Sequence, residues 1–206
     1  MSFSRQTDRW NERFGGDEYH FGTEPNAFLA SQAQRLRAGM RALSVADGEG
    51  RNSVWLARQG LQVTAFDISP VGVDKARRLA REAGVAVDHR VADINDWDWD
   101  AASYDLVVAI FIQFASPAER ARIFAGMMRA LAPGGLLLLQ GYAPRQLEYK
   151  TGGPGVAENL YTADLLRGQF AALEILHLAE HDSEIQEGRG HSGMSALVDL
   201  VARRPR

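Results

Sequence analysis

From residue 42 onward, short apolar runs alternate with segments of helical period, and that alternation leaves few folds open to the chain. Residues 42–46, 61–66, 85–91, 106–111 and 136–140 are short runs rich in Val, Ile, Leu and Phe, which predicts five buried strands. Between them, residues 51–59, 69–83 and 117–131 repeat apolar positions at helical spacing. Ser69 followed by Pro70 predicts an N-cap before a first-turn proline. Ser116-Pro117-Ala118-Glu119 repeats the signal and adds the glutamate of a capping box. Ala132-Pro133-Gly134-Gly135 is expected to stop the third helix and stand as a breaker before the fifth strand. Strand–helix alternation at this spacing implies parallel strands joined by right-handed crossovers, with helices on both faces.

The ending breaks the pattern. Residues 173–179 and 195–202 read as two strands joined by a polar, glycine-containing connection over 180–193, which predicts a closing antiparallel hairpin. The first 40 residues are expected to form a helical cover, clearest over 25–37. The expected architecture is α/β, a seven-stranded, mostly parallel sheet with an antiparallel C-terminal strand. It forms one domain over 1–206, in which 1–40 cover a core of 41–206.

Composition removes several function classes. A formal net charge of −3 gives no electrostatic reason to expect nucleic acid. With no cysteine there can be no disulfide, thiolate nucleophile or cysteine-ligated zinc, and the five histidines are scattered, so no metal site is expected. The polar N-terminus has no apolar signal core and no stretch is long enough to span a membrane, so a cytoplasmic location is expected.

In an open α/β sheet, ligands gather at the carboxyl ends of the strands. After the first strand come Ala46, Asp47, Gly48, Glu49, Gly50, Arg51 and Asn52, where two glycines permit a tight turn and close approach to a ligand. Asp67 ends the second strand, placed to accept hydrogen bonds from both ribose hydroxyls of an adenosine, ahead of Ile68 and Ser69. Asp93 and Ile94 end the third strand and offer a carboxylate and an apolar contact to an adenine. Ala109-Ile110-Phe111, ending the fourth, supplies the other wall. Two adenosine cofactors fit such a set. Gly48-x-Gly50-x-x-Ser53 resembles a nicotinamide-dinucleotide fingerprint with its third glycine replaced, whereas the antiparallel ending and the Pro-Gly-Gly favour S-adenosylmethionine.

With the glycine loop, the acid ending strand two, the Asp of strand three and Leu131-Ala132-Pro133-Gly134-Gly135, residues 42–204 resemble the class I S-adenosylmethionine-dependent methyltransferases, which are Rossmann-like. Gly50-Arg51-Asn52-Ser53 with Trp55-Leu56-Ala57 resembles in particular the tellurite-resistance and thiopurine or thiol methyltransferase group, as do segments 19–29 and 161–170. The resemblance implies that Ala46, Asp47, Gly48 and Asn52 line the methionine end, that Asp67, Ile68 and Ser69 hold the ribose, and that Asp93 and Ile94 hold the adenine. Two positions depart from the family pattern: Ser44 stands where an acid is usual, and Ala46 replaces the first glycine. A His-Arg pair of the tellurite-resistance enzymes falls near Glu184-Ile185 and does not carry over.

Methyl transfer from a sulfonium asks the protein to align donor and acceptor and to remove a proton where the nucleophile carries one. Ile110-Phe111-Ile112-Gln113-Phe114 follows strand four and lacks the Asn/Asp-Pro-Pro-aromatic clamp of amide and amine methyltransferases. A small molecule bearing a thiol, another soft anion or an activated oxygen fits better. His191, with an ordinary pKa near neutrality, is the catalytic candidate. Trp10, Tyr19, Gln113, Tyr142 and His191 are the acceptor-binding candidates, and the long connection over 141–161 is a candidate lid. The alternatives are a non-catalytic module that binds S-adenosylmethionine or S-adenosylhomocysteine, and an NAD-dependent oxidoreductase.

Overall fold

The structure, a computed structural model, describes residues 3–206. Seven strands form one sheet, in the order β3-β2-β1-β4-β5-β7-β6. They are β1 (Arg41–Val45), β2 (Gln62–Asp67), β3 (Asp88–Val91), β4 (Tyr104–Ile110), β5 (Leu131–Tyr142), β6 (Glu174–Glu187) and β7 (His191–Arg203). β1 pairs β2, β2 pairs β3 and β4 pairs β5, all parallel, while β5 and β7 run antiparallel. This is the seven-stranded, mostly parallel α/β sheet with an antiparallel C-terminal strand that the sequence predicts. Contacts divide the chain into two compact units, residues 1–97 with 187–190 and residues 98–186 with 191–206.

The first unit holds α1 (Phe3–Phe14), α2 (Ala27–Ser31), α3 (Arg51–Arg58) and α4 (Pro70–Glu82). Its strands bury Ala42, Leu43, Val45, Val63, Ala65 and Phe66, each burial favouring the fold by roughly 1.5–3 kcal/mol for the larger side chains. α4 starts as its sequence demands: the Ser69 hydroxyl accepts the Gly72 N–H at 3.0 Å and Pro70 opens the first turn. The helix expected over 25–37 is instead broken into α2 and a 3-10 turn at Ala33–Arg35. The strand expected over 85–91 pairs only from Asp88. Val85 and Val87 precede it as a connection packed against Val54, Leu79 and Ala80.

The second unit holds α5 (Pro117–Ala130), α6 (Gln146–Tyr149) and α7 (Ala163–Gln169). Glu119 accepts the Ser116 N–H at 2.9 Å, the capping box read from sequence, and these bonds hold its carboxyl below the usual range. Two expectations need correction. The Ala132–Gly135 breaker does not precede β5 but lies inside it as an irregularity: Tyr104 pairs Leu131, and the next pair is Leu106 with Leu136. Gly134, at φ 79°, donates its N–H to the Arg204 carbonyl at 2.9 Å, so the displaced segment keeps a partner. Nor is 180–193 a loop. β6 runs to Glu187 and β7 begins at His191, leaving Gly188-Arg189-Gly190 as the turn. β6 lies at the sheet edge, and of its residues only Ile185 and Glu187 are buried, so it lacks the apolar alternation that marks half-buried strands. Among the described residues, no helix is long and apolar enough to cross a membrane.

Candidate functional site

In the first unit the chain leaves β1 and turns through residues 46–50 into α3. Ala46, Gly48 and Gly50 all take positive φ, at 49°, 61° and 94°. Gly50 is also fixed by packing, because a Cβ there would lie 2.7 Å from the Cβ of Ala76 in α4. Asp67 ties this turn to the next strand end: one carboxylate oxygen accepts the Gly48 N–H and the other the Ser69 N–H, both at 2.9 Å. A carboxylate offers about four acceptor positions, so Asp67 can also receive hydroxyl donors. Burial pushes its pKa up to about 6, and the neighbouring Asp47 charge adds to the rise.

Asp47 answers the missing acid at position 44. Its carboxylate accepts the Ser44 hydroxyl at 2.6 Å, the Ser53 N–H at 3.2 Å and the Ser53 hydroxyl at 2.5 Å. The turn thus keeps a buried carboxylate, supplied three positions later and oriented by the serine that stands where the acid is usual. Burial pushes its pKa up to about 6 against those hydrogen bonds. Behind it, a His89 ring nitrogen lies 3.1 Å from the Ser53 hydroxyl, and burial lowers the pKa of His89 to about 4, leaving it neutral. Glu49 faces elsewhere. Its carboxylate pairs with Lys75 at 2.5 Å and accepts the His20 N–H at 2.7 Å, so it braces the N-terminal segment.

Other cofactor candidates are partly engaged. Asn52 Oδ1 accepts the Asn26 N–H at 3.0 Å, and the Ser69 hydroxyl donates to Asn11 at 2.6 Å while capping α4. Ile68 donates its backbone N–H to Asp67. One oxygen of Asp93 accepts two donors from Asn95, at 2.8 and 3.1 Å, beside buried Ile94. Trp97 stacks on Phe66 with centroids 4.1 Å apart. The N-terminal cover is close: Phe14 lies over Gly48 and Gly72, and Trp10 stacks on Phe14 at 5.4 Å. Tyr19 turns instead to α4, donating to the Lys75 carbonyl at 3.3 Å and packing beside Val54, Leu79 and Ala80.

In the second unit, β4 ends at Ile110, and Phe111 takes φ 56°, an unusual value for an aromatic residue. The Phe111 ring stacks on both Tyr142 and His191, with centroids 4.7 and 4.3 Å away. The Tyr142 hydroxyl lies 2.5 Å from His191 Nδ1, and only 1% and 8% of these two residues are exposed. Gln113 braces them. Its amide accepts the Tyr142 N–H at 2.5 Å and donates to the carbonyls of Tyr142 and Asn159 at 2.9 and 3.2 Å. The glycine-rich segment between α6 and α7 lies on the Tyr142 ring, where a Cβ at Gly153 would approach to 2.6 Å. The structure thus joins Tyr142 to His191, places Gln113 as their support, and sets Trp10 and Tyr19 in the other unit. Phe111, expected from sequence only as part of the wall ending strand four, is the participant whose stacking on Tyr142 and His191 no local pattern indicates.

Residues 42–135 match the methyltransferase-domain family. With the strand order, that match gives the chain a fold like that of the class I methyltransferases. The ubiquinone biosynthesis O-methyltransferase of Xanthomonas axonopodis pv. citri (strain 306) is 34% identical to the chain over 138 residues, covering 66% of this chain and 57% of that protein. The corresponding enzyme of Methylocella silvestris is 34% identical over 109 residues, covering 51% of this chain and 41% of that protein. The chain thus spans about half the length of these curated relatives. A structure concerned with conversion of a disulfide bond into a thioacetal group during echinomycin biosynthesis superposes with a TM-score of 0.79 at 18% identity, covering 99% of this chain and 92% of that one. Likeness at that identity shows the methyltransferase fold alone, and it does not single out the tellurite-resistance and thiopurine group.

The strand-end residues fit an adenosyl cofactor. The paired loops present a buried carboxylate with acceptor capacity at Asp67 and a second at Asp47, on either side of a turn at Gly48 that the Phe14 ring overlies.

Proposed function

We propose that the chain works as one methyltransferase domain that methylates a small molecule at an ionisable oxygen or sulfur, with His191 as the base. The observation that carries this reading is the buried Tyr142–His191 pair stacked on Phe111. S-adenosylmethionine, when bound, supplies an electrophilic methyl group on a sulfonium. Asp67 would hold its ribose hydroxyls beside Ile68 and Ser69. Asp47, Ala46, Gly48 and Asn52 would hold its methionine end, and Asp93, Ile94 and Ile110 its adenine. The contact at Nδ1 orients the His191 ring, and with Nδ1–H donated to the Tyr142 hydroxyl oxygen the Nε2 lone pair is the one that takes a proton. His191 would take the proton of the acceptor, and S-adenosylmethionine, if bound, would supply the methyl group and leave as S-adenosylhomocysteine.

The O-methyltransferase name of the curated relatives makes a phenolic oxygen the first acceptor class to test. Thiols are the second, distinguished by a weaker need for His191 once they ionise unaided. The Gln113 amide, engaged with backbone, offers no clamp for a poor nitrogen nucleophile.

The test begins with calorimetric titration by S-adenosylhomocysteine, with NAD in parallel, and continues with a panel of phenols and thiols read by mass shift. Binding of the first ligand with methylation of a phenol or thiol supports the reading. Binding of NAD instead points to the oxidoreductase alternative. Cofactor binding with no turnover across the panel points to the non-catalytic one.

A further inference from the structure

His181, Ser183 and Asp199 form a cluster in the second unit that methyl transfer leaves unused. β6 and β7 are neighbours, and β6 is the last strand of the sheet. His181 and Ser183 stand two positions apart on β6 and so share a face. His181 Nε2 lies 2.9 Å from Asp199 Oδ2 on β7, and its Nδ1 lies 2.9 Å from the Ser183 hydroxyl. The other oxygen of Asp199 accepts the side-chain amide of Gln140, on β5, at 2.6 Å. Asp199 is buried, whereas His181 and Ser183 are part-buried, so the row runs from within the sheet out towards solvent.

Donors and acceptors give this row a direction. An ionised Asp199 can only accept, so Nε2 of a neutral His181 carries the ring proton. Nδ1 then holds the lone pair, and the Ser183 hydroxyl donates to it. A hydroxyl donating to an imidazole whose far nitrogen is held by a buried carboxylate is a serine prepared as a nucleophile. An edge strand also presents backbone N–H groups that no strand pairs, the kind of donor a tetrahedral oxyanion needs.

We propose that Ser183 is the nucleophile of a second site, one that cleaves activated esters by acyl transfer. This site shares no residue with the Tyr142–His191 pair and does not rest on the methyltransferase reading. The Ser183 oxygen bonds to the acyl carbon while its proton passes to His181 Nδ1. The bond from the acyl carbon to the ester oxygen breaks, and the alcohol leaves with that proton. Water then attacks the acyl-serine and gives a proton to Nδ1, which returns it to the Ser183 oxygen as the acid departs. Esters of phenols are the class expected, because their alcohol leaves with little help.

The test treats the full chain with a fluorophosphonate, which bonds to an activated serine with loss of fluoride, and with p-nitrophenyl acetate. Peptide mass mapping locates the label, and released p-nitrophenol reports turnover. The wild-type protein should be labelled at Ser183 and should release p-nitrophenol, and Ser183→Ala should lose both. His181→Ala and Asp199→Asn should each slow labelling by about a hundredfold to ten-thousandfold. Asp199→Asn keeps the side-chain shape and reverses the ring tautomer, so a row that serves packing alone would leave the labelling rate unmoved. Should both variants fail to fold, the wild-type chain carries the comparison: Ser183 should react when folded and fall silent in urea. No label, a label on another residue, or equal reaction of Ser183 in the variants or in urea would overturn the proposal.

Discussion

Lowering the pH should weaken cofactor binding while stabilising the ligand-free protein. Asp67 and Asp47 both have pKa values pushed up to about 6 by burial, from a starting value of 3.8. A group titrating there is about 97% ionised at about pH 7.5 and about 9% ionised at about pH 5. Ribose hydroxyls donate to Asp67 only where a lone pair awaits them, so protonation opposes binding. The loss over that interval is about tenfold from Asp67 alone, and about a hundredfold if Asp47 must also be charged to receive an ammonium. Stability runs the other way. A carboxyl whose folded pKa is raised contributes stability that is complete below about pH 3.8 and lost as pH rises through about 6, about 3 kcal/mol per group. Calorimetry in two buffers of different ionisation enthalpy would count the protons released on binding, and melting curves with and without S-adenosylhomocysteine would separate the two trends. Asp67→Asn should remove about tenfold of the pH dependence. Affinity that stays flat from about pH 5 to 7.5 with no proton exchange would refute the reasoning.

Three further outcomes follow from geometry. His191→Ala should lower turnover of a phenol by about a hundredfold to ten-thousandfold, and Tyr142→Phe by about tenfold to a hundredfold, with S-adenosylhomocysteine affinity little changed. Steady-state kinetics of the double variant should match His191→Ala; additive losses would mean the two do not act as one unit. Gly50→Ala should cost at least about 1–3 kcal/mol in urea unfolding, because φ 94° and the 2.7 Å approach to Ala76 both oppose a side chain. A wild-type midpoint would contradict this. Glu49→Gln should cost about 3–5 kcal/mol by leaving buried Lys75 without its counter-charge, with faster proteolysis within residues 15–26; unchanged stability and protection would show the pair to be dispensable.

The parallel half of the sheet is legible because buried strands and capped helices carry local signals. Ser69-Pro70 and Ser116-Pro117 mark helix starts wherever they occur, and both serve as read. β6 is obscured for a physical reason. An edge strand exposes much of its surface, so His181, Ser183 and Glu184 satisfy a strand while looking like a loop. The Pro133-Gly134 signal is real as local chemistry, yet neighbouring strands carry the ladder past it. The site divides in the same way. Asp67 and Gly48 announce themselves by position after a strand, and Asp47 does so less clearly. The pairing of Tyr142 with His191 joins residues 49 positions apart, and that of His181 with Asp199 joins residues 18 positions apart. No local pattern encodes either.

Lys75 has a consequence for how such a sequence can drift. Its ammonium reaches the backbone carbonyls of Phe14, Gly16 and Glu18 at 3.2, 2.9 and 2.7 Å, while Asp17 and Glu18 are exposed. A carbonyl is the same on every residue. The path of this stretch is therefore written in α4 rather than in the stretch itself. Substitutions that respect the local backbone should accumulate freely at Asp17 and Glu18, and replacement of Lys75 should be rare even where its neighbours on α4 have changed.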